Sequence, residues 1–173
     1  LDAPAASISW VVDAYTLPLA SLLLLGGSLG DRWGAERLFR LGAVGFAAAS
    51  VACALSPTIG TLVAFRAAQG VFAAMLLPMV LALAGKSFDD PRHRSTAVNL
   101  LTVFGGAGMA VGPVLGGLLT DTIGWRSVFW LTTPVAIAAA LLVGAADEPR
   151  TTRHRVRLDV AGQVTGTIGL VAL

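Results

Sequence analysis

The chain has 173 residues, of which 55% are hydrophobic and only 13% charged, and a mean hydropathy of +0.78, far more apolar than soluble domains use. Twelve Lys and Arg against ten Asp and Glu leave a net charge of +2, too small to point to nucleic acid. The single cysteine, Cys53, excludes an internal disulfide and a cysteine-based metal cluster.

Uncharged runs at 41–65, 95–120 and 127–146 reach or exceed the roughly 20 residues a helix needs to cross hydrocarbon. An all-α integral membrane protein is therefore expected, with spans at 9–29, 38–55, 59–86, 95–120 and 125–146 and the start of a sixth from 160. Residue 1 is Leu and no basic segment precedes the first apolar run, so no secretory signal is visible. The chain reads as a piece of a longer protein. Three parts are expected: a helix bundle at 1–146, a basic linker at 147–159, and the beginning of another span at 160–173.

The first span opens on Trp10, followed by Asp13 and Tyr15. Asp13 lies about 4.5 Å along the axis from Trp10, where a carboxylate can stay hydrated. The functional alternative is a proton-binding or cation-recognising group at an outward opening. The turn that follows, "GGSLGDRWGAERLF" at 26–39, combines glycines with the charged pair Asp31 and Arg32 at a membrane interface. A solvated turn is the plain reading of such a loop.

The third span contains "VAFRAAQGVF" at 63–72, with Arg66 and Gln69 in otherwise apolar surroundings. An arginine at membrane depth costs about 2.5–3.5 kcal/mol on insertion scales, so it should face a protein interior or a watered cavity. Gln69, three residues on, shares its helix face and can join it in a hydrogen-bond network. Arg66 also lies close enough to the span's start to snorkel outward as an anchor. The fourth span carries "GAGMAVGPVLGGLL" at 106–119. Gly108, Gly112 and Gly116 recur every four residues, making a face along which another helix can approach, and Pro113 favours a bend. Asn99 and Thr102, early in that span, are candidates either to line a cavity or to satisfy each other across helices. His93 and His154 have no partner at metal-ligand spacing, and no nucleophile, base and oxyanion donor stand together, so an enzyme is not expected.

Ten of the twelve basic residues fall in or beside three alternate loops, at 30–40, 86–95 and 147–159, and only Arg126 lies at the opposite end. The charge rule for short loops makes those loops cytoplasmic and places residues 1–9 outside, in a multi-pass protein of the inner (cytoplasmic) membrane.

These stretches resemble the major facilitator superfamily. Gly27, Leu29, Asp31, Arg32, Gly34 and Arg37 match its Gly-x-Leu-x-Asp-Arg-x-Gly loop between the second and third helices, though Ala35 and Glu36 stand where the family usually has basic residues. The resemblance implies a conformational latch there. The stretch 66–78 is similar to the family's fourth-helix Arg-x-x-Gln-Gly pattern with its later proline, which implies a proton-coupling role for Arg66, with Gln69 beside it. Gly108, Gly112, Pro113, Gly116 and Gly117 match the antiporter motif on the fifth helix of drug exporters, implying a role in bending and sealing the transport path. "WVVDAYTLPLASLLLLGG", "GWRSVFWLTTP" and "LDVAGQVTGTIGLVAL" resemble the second, sixth and seventh helices of the drug:proton antiporters with fourteen spans.

On that resemblance the chain is the second to sixth helices and part of the seventh, without the first helix or the C-terminal half. The expected function is proton-coupled export of amphipathic small molecules, cations included, by alternating access. The implied partners are the lipid bilayer, the substrate, protons and the missing half. No cofactor is expected, because the proton gradient supplies the energy. The competing expectations are a passive channel or facilitator and a truncated, inactive membrane fragment.

Overall fold

The computed structural model describes residues 5–86, 88 and 90–145. Within them run five α-helices: α1 (Ala5–Trp33), α2 (Ala35–Ala54), α3 (Ile59–Lys86), α4 (Pro91–Thr122) and α5 (Arg126–Ala145). All five are long and apolar enough to cross a membrane. The linker expected at 147–159, the span expected from 160, His154 and the arginines at 150, 153, 155 and 157 lie outside the described residues.

The α1, α2 and α4 helices run longer than the expected spans, while α3 matches its span and α5 falls one residue short at each end. The loop expected at 30–40 is a single residue, since α1 continues through Asp31, Arg32 and Trp33 and α2 begins at Ala35. Gly34 makes this possible with φ +94°, a left-handed conformation that side chains disfavour. Its N–H donates to the Gly30 carbonyl at 2.9 Å, closing α1, and its own carbonyl accepts from Leu38 N–H at 3.1 Å, opening α2. The fourth span starts at Pro91 rather than 95, because Asp90 caps it by accepting from the Arg92 N–H at 2.9 Å with proline in the first turn. Thr58 and Thr61 cap α3 reciprocally, each hydroxyl accepting from the other's backbone N–H at 3.2 Å.

Order in the sequence does not set which helices pack together. The α1 helix packs chiefly on α3, and α2 packs on both α3 and α5. Contacts fix the directions. Gly70 lies against Tyr15 and Gly26 against Ala74, so α1 and α3 run parallel. Gly42 lies against Met75 and Leu76 and Gly45 against Phe72, so α2 runs antiparallel to α3. Arg40 meets Gly144 at the basic end and Arg126 meets Ala54 at the other, so α2 and α5 are also antiparallel.

Small residues make these seams. Ala43, Ala47, Ala54, Ala73 and Ala74 are buried, while Leu24, Leu81, Leu141 and Leu142 face outward. In lipid, burying a leucine gains nothing over leaving it among acyl chains, so close backbone approach through Ala and Gly drives association. At the basic end a larger cluster of Leu38, Phe39, Ala43, Met79 and Ala140 ties α2, α3 and α5 together. The α4 helix contributes no buried residue.

Arg126, the one basic residue at the far end among the described residues, has a structural task. Its Nε donates to the Ala54 carbonyl at 2.9 Å and its Nη2 to the Ser56 carbonyl at 3.1 Å. The Ala54 carbonyl is one that the end of α2 leaves without a helical partner, Ser56 follows just past that end, and a cation there also complements the helix dipole. Arg126→Ala should lower the stability of the α2–α5 seam by about 1–3 kcal/mol. Thermal unfolding in micelles would register the loss, and an unchanged midpoint would mean that water caps α2 equally well.

Candidate functional site

Arg66 sits on the second turn of α3, part-buried and facing α1. Its Nε donates to the Val11 carbonyl at 3.2 Å, and its guanidinium carbon lies 4.3 Å from the centre of the Tyr15 ring. Val11 and Tyr15 are four residues apart on α1 and so share one face. Phe129 of α5 also approaches the guanidinium, with its ring centre 6.0 Å away. Stacking on aromatic faces stabilises a guanidinium where water is scarce. Arg66 Nη1 donates to Gln69 Oε1 at 2.8 Å. Arg66 therefore points into the bundle and does not snorkel to the surface.

The network continues across the bundle. Gln69 is 2% exposed, and its Nε2 donates to Ser50 Oγ on α2 at 2.7 Å. Ser50 is fully buried and donates to the Phe46 carbonyl at 2.9 Å. Thr132 of α5 reaches Ser50 Oγ with a longer contact of 3.4 Å. Four helices thus meet around one chain of donors that starts at Arg66. Five N–H groups belong to a guanidinium, and the described residues accept from Nε and Nη1, leaving donors for an acceptor from elsewhere.

A close crossing of α1 and α3 permits this arrangement. A Cβ added at Gly70 would run into the Tyr15 backbone carbonyl, and one at Gly26 would run into that of Ala74. Gly70, the residue after Gln69, brings α1 near enough for Val11 and Tyr15 to reach Arg66.

The other candidate residues are not gathered here. Asp13 is exposed and lies about 200° around α1 from Val11 and Tyr15, away from Arg66. Asp31 and Arg32 are exposed at the end of α1, with Gly27 facing Pro78 of α3, Gly34 at the turn and Arg37 on the first turn of α2. Gly108, Gly112, Gly116 and Gly117 lie on α4, where an added Cβ would meet nothing within 4 Å among the described residues. The α4 helix is continuous through Pro113. Thr102 donates to the Val98 carbonyl of its own helix at 3.0 Å. Asn99 lines a shallow groove of about 340 Å³ with Phe88, Arg94 and Ser95. His93 is exposed, 3.3 Å from Asp90.

Residues 1–168 match the family model of the Major Facilitator Superfamily. The chain belongs to this superfamily. Its members are membrane transporters, and the superfamily is not one of enzymes. Among curated relatives, the puromycin resistance protein pur8 of Streptomyces alboniger is 43% identical over 167 residues, covering 96% of this chain and 33% of its own length. The methylenomycin A resistance protein of Streptomyces coelicolor is 39% identical over 176 residues, covering 100% of this chain and 36% of its own. The multidrug efflux pump LfrA of Mycolicibacterium smegmatis is 41% identical over 133 residues, covering 77% and 26% respectively. The chain thus spans about a third of the length of the curated relatives it matches.

For a major facilitator chain, the sequence pointed to Arg66 and Gln69 but missed Val11, Ser50, Phe129 and Thr132. Ser50 carries a usable signal, being a polar residue in the alanine-rich run 47–54. Val11 acts through its backbone, which side-chain chemistry cannot announce.

Proposed function

We propose that the full-length protein exports small amphipathic molecules, cations among them, across the cytoplasmic membrane in exchange for protons, by alternating access. Membership of a transporter superfamily and relatives named for antibiotic resistance and drug efflux support export. The observation that carries the coupling role is Arg66, a cation held inside the helix bundle by Val11, Tyr15 and Gln69. A fixed positive charge lowers the proton affinity of any carboxylate brought near it. Such a carboxylate gives up its proton readily once its path opens to the side of lower proton concentration.

In this reading the substrate path lies between this bundle and the other half of the transporter. Asp31 and Arg32, exposed at the basic end, latch one half to the other, and Asp13 lies toward the outer opening. The glycine face of α4 seals against a helix from outside the described residues. The basic ends of α1, α3 and α4 lie on the cytoplasmic side, following the charge rule.

The test is ethidium efflux from cells expressing the full-length protein, with and without a protonophore. Efflux is expected to stop when the gradient collapses. Efflux that persists would indicate a passive path and remove proton coupling from the proposal.

A further inference from the structure

Gln69 has an amide whose two ends have nearly the same shape and opposite chemistry, so its neighbours must decide which end faces Arg66. Arg66 can only donate. At the far end stands Ser50, whose hydroxyl has one proton and two lone pairs. That proton is committed to the Phe46 carbonyl at 2.9 Å. Toward Gln69, Ser50 can therefore only accept, which it does from Nε2 at 2.7 Å. The amide is held with its nitrogen toward α2 and its oxygen toward Arg66, 2.8 Å from Nη1. Thr132 gives its own proton to the Phe129 carbonyl at 3.0 Å, so its hydroxyl stands 3.4 Å from Ser50 Oγ as a neighbour and not as a competing donor.

We propose that Ser50 is a positioning residue for Arg66: by accepting from Gln69 while donating to Phe46, it fixes the amide's direction and so holds the guanidinium against Tyr15 and the Val11 carbonyl. This rests on the reading of Arg66 as the coupling residue. Because Ser50 is fully buried and Gln69 nearly so, no solvent is at hand to replace the serine as acceptor. Without it, the Gln69 nitrogen is a buried donor with no partner, a state that costs enough to move the side chain. Gln69 then turns away and Arg66 loses the acceptor that directs it.

The test uses the full-length protein in lipid nanodiscs, labelled with ¹⁵N-arginine, with the Arg66 Nε–H resonance assigned by its loss in Arg66→Lys. In the wild type this resonance should stand apart from those of exposed arginines and exchange slowly with solvent. In Ser50→Ala it should move toward the exposed group and exchange about tenfold faster, the factor equivalent to one lost hydrogen bond. Ser50→Cys, nearly isosteric but a poor acceptor, should fall between and serves if the alanine variant does not fold. Efflux of Ser50→Ala should drop to the level of Gln69→Leu, and the double variant should be no worse than either single one.

An Arg66 resonance unchanged in folded Ser50→Ala or Ser50→Cys would overturn the assignment, as would additive efflux losses in the double variant. A lower melting temperature with an unmoved resonance would show ordinary packing and would also overturn it. Wild-type efflux indifferent to a protonophore would remove the coupling role of Arg66, while the resonance would still judge what Ser50 does.

Discussion

Replacing Arg66 by alanine is expected to reduce gradient-driven efflux by the full-length protein to background, with membrane insertion intact. The substitution removes the donors to Val11 and Gln69 and the cation stacked on Tyr15. It leaves the Gln69 carbonyl oxygen buried without a donor, a cost of about 1–3 kcal/mol. A bundle of five membrane helices can bear that, because insertion itself becomes easier when the arginine is gone. Under the proposed mechanism the loss falls on coupling, since no fixed charge then remains at this point in the bundle. Arg66→Lys should fail nearly as completely. A lysine ammonium on a flexible stem does not reproduce the planar fork that serves Val11 and Gln69 together while lying on a ring. Full efflux by Arg66→Ala, in protein shown to be inserted, would take Arg66 out of the coupling role.

Gly70→Ala should be a strongly damaging single-methyl change, because it strikes the crossing beside Arg66. The added carbon would meet the Tyr15 carbonyl oxygen and backbone rather than the flexible end of a side chain, so α1 and α3 must move apart. Overpacking of this kind costs about 1–3 kcal/mol, and the crossing it disturbs carries Val11 and Tyr15 to Arg66. Both the melting temperature and efflux are expected to fall. Gly60→Ala is the control, because an added Cβ there meets nothing within 4 Å. Gly112→Leu separates the two halves of the question, since a Cβ added there meets nothing within 4 Å among the described residues. The isolated chain should tolerate that change, whereas efflux by the full-length protein should stop. A Gly70→Ala variant as stable and active as Gly60→Ala would mean that the helices cross less closely than these contacts require.

Much of this architecture was legible before any coordinates, and particular residues show where legibility ended. The spans could be read because each must place about 20 apolar residues in hydrocarbon, and the ends drifted because helices continue past the apolar run. Asp31 and Arg32 looked like loop residues by their charge, yet they extend α1 to its glycine stop. Arg66 and Gln69 could be paired by their spacing on one helix. Their connection to Ser50, nineteen residues earlier in the chain, could not be read, because the helical period relates residues within one helix and says nothing about its neighbour. The capping role of Arg126 was hidden for the same reason, since the carbonyls it serves lie at the end of α2 and just beyond it.

The sequence by itself determined that this protein lives in a bilayer, how many helices of its described length cross it, and which polar residue would be costly enough to need a partner. Those are properties of transfer from water to hydrocarbon, additive along the chain and indifferent to what packs where. The tertiary structure decided that α1 pairs with α3 rather than with α2, that α2 bridges α3 and α5, and that Arg66 turns inward while Asp13 faces away. Hydrophobicity cannot select among such arrangements, because lipid satisfies an apolar side chain as well as another helix does. The choice falls to close contacts between small residues, such as Gly70 on Tyr15, and to buried donors that must each find an acceptor.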